Sequence, residues 1–302
     1  MSDVSPSNKQ DLSSQPNSRK INRLKVSLCA DWQPQADLLA EEEPLEINLR
    51  WKEVSYPKAR TWLVTMRTPG NDLDLVVGML LTHGIIDSIN QIVSVEHDEA
   101  DNSEQNAGNR VVATLAIVPD LDALNRAHMS YGSCGVCGST SLKALALHFA
   151  PQLDAQQAWL LAENLMSYPK LLRQHQPLFD ATGAAHGAGY IVENELVAVA
   201  EDVGRHNAVD KLIGKIQKEQ LWHPQGTLVL SGRVSFELMQ KAVAAALPVV
   251  VAVGAPTALA LKVAQQFDIT LIGFTREYEF NLYHGQQRIQ KSAHTEYQAD
   301  KL

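Results

Sequence analysis

Two of the chain's three cysteines stand together as Cys134 and Cys137 in the stretch YGSCGVCGSTS, residues 131–141. The spacing is C-x-x-C, and glycines bracket both thiols, which predicts an exposed, freely bending turn rather than a core position. Ser139, Thr140 and Ser141 are helix-capping types. The following SLKALALHF places Leu142, Leu145, Ala146 and Phe149 at helical spacing, so the loop is expected to run into a helix N-terminus. Unpaired N–H groups there favour thiolate over thiol. A free thiol with a pKa of about 8.5 is only ~3% ionised at neutral pH, whereas a helix end or a nearby cation brings a cysteine to ~7 or lower.

Three kinds of chemistry fit such a loop. A structural zinc site needs four nitrogen or sulfur ligands, and the remaining cysteine, Cys29, lies far upstream without a paired cysteine or histidine; it reads as a small buried hydrophobe. A thioredoxin-like dithiol is the second reading, although no proline occupies the x-x positions and the glycines loosen the geometry. The third is a persulfide carrier, in which an exposed nucleophilic cysteine accepts a sulfur atom and passes it on.

A second set of polar residues recurs after short apolar runs. EDVGRHN follows one such run, and SGRVS, GAPT and GFTRE follow three others, supplying Arg205, His206, Ser231, Gly232, Arg233, Thr257 and Arg276. Arginines beside small-residue turns that open helices suit a phosphate-bearing ligand. For any single turn the plainer alternative is that glycines close a tight connection and arginines pair with neighbours such as Glu201 and Asp202. Recurrence at successive strand ends favours the ligand reading. His186, in HGAGYIV, is either an acid–base group or a structural turn residue.

The elements that would hold these residues are legible in the pattern. ELVAVAED (195–202), TLVLSG (227–232), PVVVAVG (248–254) and ITLIGF (269–274) are too apolar to face water, and amphipathic helices separate them. The expectation is a β-α-β-α-β-α-β unit with a mostly parallel sheet, right-handed crossovers covering both faces, and ligands beyond the strands' carboxyl ends. Upstream, 45–54 and 61–67 read as a hairpin, 71–84 as a one-faced amphipathic helix, and 92–97 and 110–118 as strands. Met79 and His83 in that helix read as packing and helix-dipole residues. Segments 154–166 and 168–175 look like two helices. The expected organisation is a disordered tail over 1–20, an N-terminal α+β part over 21–125 and an α/β domain over 126–302.

Composition bounds the function. The chain has 302 residues, 45% hydrophobic and 20% charged, enough for a sizeable core. Its 26 basic and 34 acidic residues leave a formal charge of −8, which argues against nucleic acid or an anionic membrane as general partners. No signal-peptide core or spanning apolar run is seen, so the expectation is a cytoplasmic protein with reduced thiols.

GSCGVCG, HGAGY, EDVGRHNAVDK, SGRVSFELMQKA, GAPTALAL and GFTRE, in this order, closely resemble the FdhD family of formate dehydrogenase accessory sulfur carriers, over nearly the whole chain after the tail. The resemblance implies a homodimer whose larger part is similar to cytidine deaminases. It implies a sulfurtransferase that takes persulfide sulfur from a cysteine desulfurase and sulfurates the bis(molybdopterin guanine dinucleotide) form of the molybdenum cofactor before its insertion into the formate dehydrogenase catalytic subunit. A guanine nucleotide would then serve as partial ligand. Residue by residue, the persulfide position falls on Cys134 with Cys137 as its partner, and the cofactor segment on Phe274, Thr275, Arg276, Glu277, Tyr278 and Glu279. Two other classes remain: a zinc-dependent deaminase-like hydrolase and a non-catalytic cofactor chaperone. The first lacks its motifs, because His128 is followed by Met129 and Ser130, and Ser133 precedes Cys134. No metal ligand set is expected.

Overall fold

The structure, a computed structural model, describes residues 16–27, 32–51, 60–98, 108–120 and 158–290. Cys29, Cys134, Cys137 and the helix expected after residue 139 lie outside them.

The chain begins with an antiparallel hairpin of β1 (Ser18–Lys25) and β2 (Gln33–Ala40). Residues 18–20, expected in the tail, pair with residues 38–40, and the ion pairs Arg19–Glu41 and Arg23–Asp37 cross the ladder or its end at 2.8 and 2.7 Å. Next, β3 (Glu43–Trp51) pairs antiparallel with β4 (Arg60–Arg67), as the alternation predicts. The helix α1 (Asp72–Thr82) precedes β5 (Ile92–His97) and β6 (Arg110–Leu115), which complete a four-stranded sheet of order β4-β3-β6-β5.

After a two-residue strand β7 (Leu160–Leu161) comes α2 (Ala162–Arg173), one helix where two were expected; Pro169 lies inside it rather than ending it. A short helix α3 (Pro177–Thr182), with proline at its start and Gly183 at φ 69° as its stop, leads to β8 (His186–Val192). The order from there is β9 (Glu195–Asp202), α4 (Arg205–Lys218), β10 (Thr227–Leu230), α5 (Phe236–Ala244), β11 (Val249–Ala252), α6 (Ala258–Gln266), β12 (Thr270–Gly273), β13 (Asn281–His284) and β14 (Ile289–Gln290).

The larger sheet has the order β13-β12-β11-β10-β8-β9. Only β10, β11 and β12 pair in parallel; β13 is antiparallel at one edge, and β8 is antiparallel to both its neighbours. The expectation of a mostly parallel sheet is therefore corrected to a mixed one. The cause is local: Glu193 and Asn194 both take positive φ (51° and 69°), the conformation of a tight two-residue hairpin turn, so β9 folds back on β8 instead of meeting β10. Direction survives the insertion, because two antiparallel steps leave β9 running the same way as β10, β11 and β12.

The helices also depart from the expected two-face arrangement. Leu228, Leu230, Val250, Ala252 and Leu271 turn toward buried residues of α4, α5 and α6, all on one face, while Val229, Val249, Val251 and Ile272 meet Leu165, Tyr168 and Leu172 of α2 on the other. Beyond α4 lies α1, which is buried almost all round from Leu75 to Thr82 rather than one-faced. One side packs on the four-stranded sheet and the other on α4. A Cβ at Gly78 would fall 1.8 Å from the Asp210 carbonyl oxygen, and one at Gly214 would fall 1.9 Å from that of Asp74, so these helices cross backbone against backbone. Near the crossing Arg67 grips Asp72 through two bonds of 2.9 Å, and Thr82 donates to Asp210 at 2.7 Å. His83 packs edge-on to Trp62 with ring centroids 5.7 Å apart. Burial, assisted by Lys241, holds its pKa down to about 3, so it is neutral and the expected dipole role is corrected. No helix among the described residues is long and apolar enough to cross a membrane.

Candidate functional site

Because β9 to β12 share a direction, their carboxyl ends share one edge, and β8, running oppositely, brings its first residue, His186, to the same place. A cavity of about 1040 Å³ opens there. His186, Val203, Ser231, Val253, Thr275 and Arg276 line it from the strand ends, and Lys170, Arg173, Gln176, Phe179 and Asp180 line it from α2 and α3.

Each wall is fixed by backbone geometry. The Ser231 N–H donates to the Gly187 carbonyl at 3.0 Å, and the Gly187 N–H donates to Ser231 Oγ at 2.9 Å, which locks the start of β8 to the end of β10. Gly254 lets the next turn press in, since a Cβ there would lie 2.7 Å from the Arg233 nitrogen. Phe274 takes φ 53° and donates its N–H to the Gly254 carbonyl, after which Thr275 is carried inward, 2% exposed. Its Oγ1 is buried without a hydrogen-bond partner among the described residues. Arg276 is anchored through Nη1 to the carbonyls of Val253 (2.9 Å) and Thr275 (3.1 Å).

The opposite wall hangs on one carboxylate. Glu201, near the end of β9, accepts the N–H groups of Leu178 and Phe179, each at 2.9 Å, at the start of α3. Burial raises its pKa, an effect these bonds partly offset. Phe179 so held lies under Arg173, whose guanidinium is 4.5 Å from the ring centroid and which also pairs with Asp180. Among the described residues the cavity lining carries the cations Lys170, Arg173 and Arg276 against one carboxylate, that of Asp180.

Beside the cavity sits a second group. Arg205 and His206 begin α4, and His186 stands next to them over Gly232, where a Cβ would lie 3.5 Å from His186 Nδ1. Burial first, then the charges of Lys241 and Arg205, pull the His206 pKa down to about 4. Burial and Arg205 likewise lower that of His186, opposed by Asp202. Both imidazoles are neutral near pH 7. Arg205 Nε and His206 Nε2 are buried without hydrogen-bond partners among the described residues, and neither α4 nor α5 has a side-chain cap. The Arg205 Nε–H and the uncapped N–H groups at the starts of α4 and α5, unmatched by acceptors, fit an anion.

The predicted site residues therefore divide. Ser231, Thr275 and Arg276 line the cavity, and Arg205, His206 and Gly232 form the adjoining group around His186. Arg233 is exposed on the turn after β10, and Thr257 caps α6 by accepting the Ala260 N–H at 3.1 Å; neither lines the cavity. Phe274, Glu277, Tyr278 and Glu279 are exposed around it, Tyr278 by 83%. Cys134 and Cys137 lie outside the described residues. Much of EDVGRHNAVDK is scaffold: Asp202, 0% exposed, accepts from Thr68 and Gly204 and pairs with Lys211 at 2.8 Å, while Asn207 donates to the Met66 carbonyl. Among the described residues no group of three His, Cys, Asp or Glu could hold a metal.

The wall built by Lys170, Arg173, Gln176, Phe179 and Asp180 was not foreseen from the sequence. Its signal was present: Lys170 and Arg173 are spaced for one helical face, and Gln176-Pro177 with Gly183 mark a second short helix folding back on the first.

The model of the FdhD/NarQ family matches residues 40–290. A protein of Nocardia farcinica called sulfur carrier protein FdhD is 39% identical over 255 residues, 84% of this chain and 88% of its own. Proteins of the same name from Streptomyces avermitilis and Sulfurisphaera tokodaii are 41% and 35% identical, each over 84% of this chain and over 89% and 92% of their own. The crystal structure of a putative formate dehydrogenase accessory protein from Desulfotalea psychrophila has the same fold, with a TM-score of 0.70 at 21% identity over 91% of this chain and 100% of that one.

Proposed function

The chain belongs to the FdhD/NarQ family, and on that premise we propose that it is a sulfur carrier serving formate dehydrogenase maturation. Cys134 is the acceptor. Its thiolate attacks the terminal sulfur of a desulfurase persulfide, the sulfur–sulfur bond of the donor breaks, and the donor cysteine leaves as a thiolate while Cys134 keeps the sulfur as a persulfide. No electrons are gained or lost overall. The cargo on the receiving side is the molybdenum cofactor carrying two guanine dinucleotide arms, and the carrier acts as a homodimer in the cytoplasm.

The observation that carries the cofactor half of this reading is the convergence of the strand ends on one cavity that holds a buried, unmatched hydroxyl at Thr275 under the cations Lys170, Arg173 and Arg276. A phosphate-bearing ligand with a flat heterocycle fits this donor set. Arg173 and Phe179 offer a planar face, and the guanidinium groups offer charge-assisted bonds that an acidic protein concentrates in few places.

Intact mass after incubation with a cysteine desulfurase and cysteine tests the sulfur half. The expected result is an adduct of one sulfur atom, released by reductant and absent from Cys134→Ala. An unmodified wild-type mass would remove the carrier reading, and loading that persists in Cys134→Ala would place the acceptor elsewhere.

A further inference from the structure

Helix α3 does not account for its own place. It has six residues, too few to persist on helix propensity alone, and the residue at its start, Gln176, supplies no side-chain cap. Pro177 at the first position has no N–H, and the Asp180 N–H already reaches the Gln176 carbonyl at 2.9 Å. The free donors of the first turn are therefore those of Leu178 and Phe179, and the Glu201 carboxylate takes both at 2.9 Å. A cap that most helices draw from their own chain comes here from β9. Among the described residues these two are the hydrogen bonds that join α3 to the six-stranded sheet.

The other attachments of α3 are weaker. Leu178 is its one buried side chain, and the Arg173–Asp180 pair that ties it to α2 is about half exposed, where ion pairs contribute little. The residues of α3 also divide between two recesses. Phe179 and Asp180 line the cavity, whereas Pro177 and Leu178 line, with Glu201, a separate groove of about 680 Å³, so part of the space behind the helix is open. A wall with open space behind it keeps its position through its fastening. Phe179 is the third residue of that wall, and the Arg173 guanidinium lies over its ring.

We propose that Glu201 is a positioning residue for ligand binding in the cavity: by holding the first turn of α3 it sets Phe179, and with it Arg173, as the platform on which a flat heterocycle stacks. The inference rests on the reading that the cavity takes a nucleotide-bearing ligand. Glu201 does not line the cavity and touches no ligand there; it acts through Phe179.

The test uses the full chain, guanosine diphosphate as the probe, and the variants Glu201→Ala, Glu201→Gln, Phe179→Ala and the double Glu201→Ala/Phe179→Ala. Calorimetric titration reads affinity, and hydrogen exchange by mass spectrometry reads the amides of α3. Glu201→Ala is expected to speed exchange over α3 and to weaken binding about tenfold or more, the worth of a lost base stack. Removing a negative charge by itself favours an anion, so a loss of this sign does not come from charge. Glu201→Gln keeps one acceptor, guards against a folding defect in the alanine variant, and should fall between it and wild type. In the Phe179→Ala background, Glu201→Ala should weaken binding further by less than about twofold, because the two changes remove the same platform. Wild-type affinity in both Glu201 variants, or losses that multiply in the double variant, would overturn the proposal while leaving the cavity reading intact. No binding of the nucleotide by the wild-type chain would remove the cavity reading and this inference with it.

Discussion

Lys241 Nζ lies 2.9 and 2.7 Å from the two carboxylate oxygens of Asp210, and both side chains are buried. Thr82 completes the group from α1. Burial raises the Asp210 pKa, and Lys241 is the main influence opposing that rise. Lys241→Met leaves a carboxylate stranded between three elements and is expected to destabilise the protein by about 3–5 kcal/mol. Adding Asp210→Asn should restore part of the loss, read as a denaturant midpoint that recovers in the double variant. The same single change removes a positive charge that depresses His206, so the His206 pKa should rise; a titration by NMR that leaves it at about 4 would show that the influence of Lys241 has been misjudged.

Gly78→Ala is expected to be among the most disruptive small changes in the chain. Alanine is the better helix former by about 1 kcal/mol, but its methyl would fall 1.8 Å from the Asp210 carbonyl oxygen, so α1 and α4 must separate. Overpacking of this kind costs about 3 kcal/mol or more and outweighs the propensity gain. A melting temperature at or above wild type would contradict the close crossing.

Stability should fall on the acid side of neutrality through the buried histidines. Their folded-state pKa values, about 4 for His206 and about 3 for His83, lie below the ordinary 6.5, so the unfolded chain takes up protons first. Their contribution is complete above pH 6.5 and is lost as pH falls toward 4 and then 3. Glu201 and Asp210, raised by burial, act with the opposite sign, contributing at low pH and losing that contribution as pH rises through their folded values. His206→Asn isolates one part: its stability profile should be flatter than wild type between pH 6.5 and 4. Parallel profiles would dismiss the histidine as a source of the slope.

Thr275→Val separates a ligand role from a structural one. The hydroxyl is buried and unmatched, so replacing it by a methyl should stabilise the ligand-free protein by about 1 kcal/mol or more while weakening guanine nucleotide binding. Arg276→Ala should weaken the same binding roughly tenfold or more, the loss of a charge-assisted contact worth about 1.5–3 kcal/mol. Arg233→Ala, on an exposed turn outside the cavity lining, should bind much as wild type. Calorimetric titration with guanosine diphosphate checks all three; equal losses in Arg233→Ala and Arg276→Ala would argue that charge alone, not this cavity, holds the nucleotide.

Cys137→Ala should still load one sulfur atom and hold it longer, because Cys137 is the near thiol able to attack a Cys134 persulfide and expel sulfide. Time-resolved intact mass is the readout. Faster loss of the adduct than in wild type would assign Cys137 a protective role instead.

The strands of the larger sheet were readable because each is short, apolar and bounded by turn residues, and the shared direction of their ends followed from that. Their neighbours were not. Whether β9 lies beside β10 depends on the backbone of Glu193 and Asn194, a turn that lacks glycine and carries only asparagine as a hint of positive φ. The face chosen by α4 is set by α1, 128 residues earlier at the Thr82–Asp210 bond, and no local pattern reports such a distance. At the site, Arg276 and Thr275 stood out as a polar turn after a buried strand. Phe179 was hidden because its place depends on Glu201 holding α3 from another element.

The closeness of α1 to α4 also bears on how the chain is made. Leu75 to Thr82 emerge from the ribosome well over a hundred residues ahead of the helix that covers their second side, a gap of roughly 10 s at ordinary elongation rates. During that interval the early sheet can form but carries an uncovered apolar flank. Completion of the native core is therefore tied to late translation, and nascent chains stalled before residue 205 are the ones that need a holding chaperone.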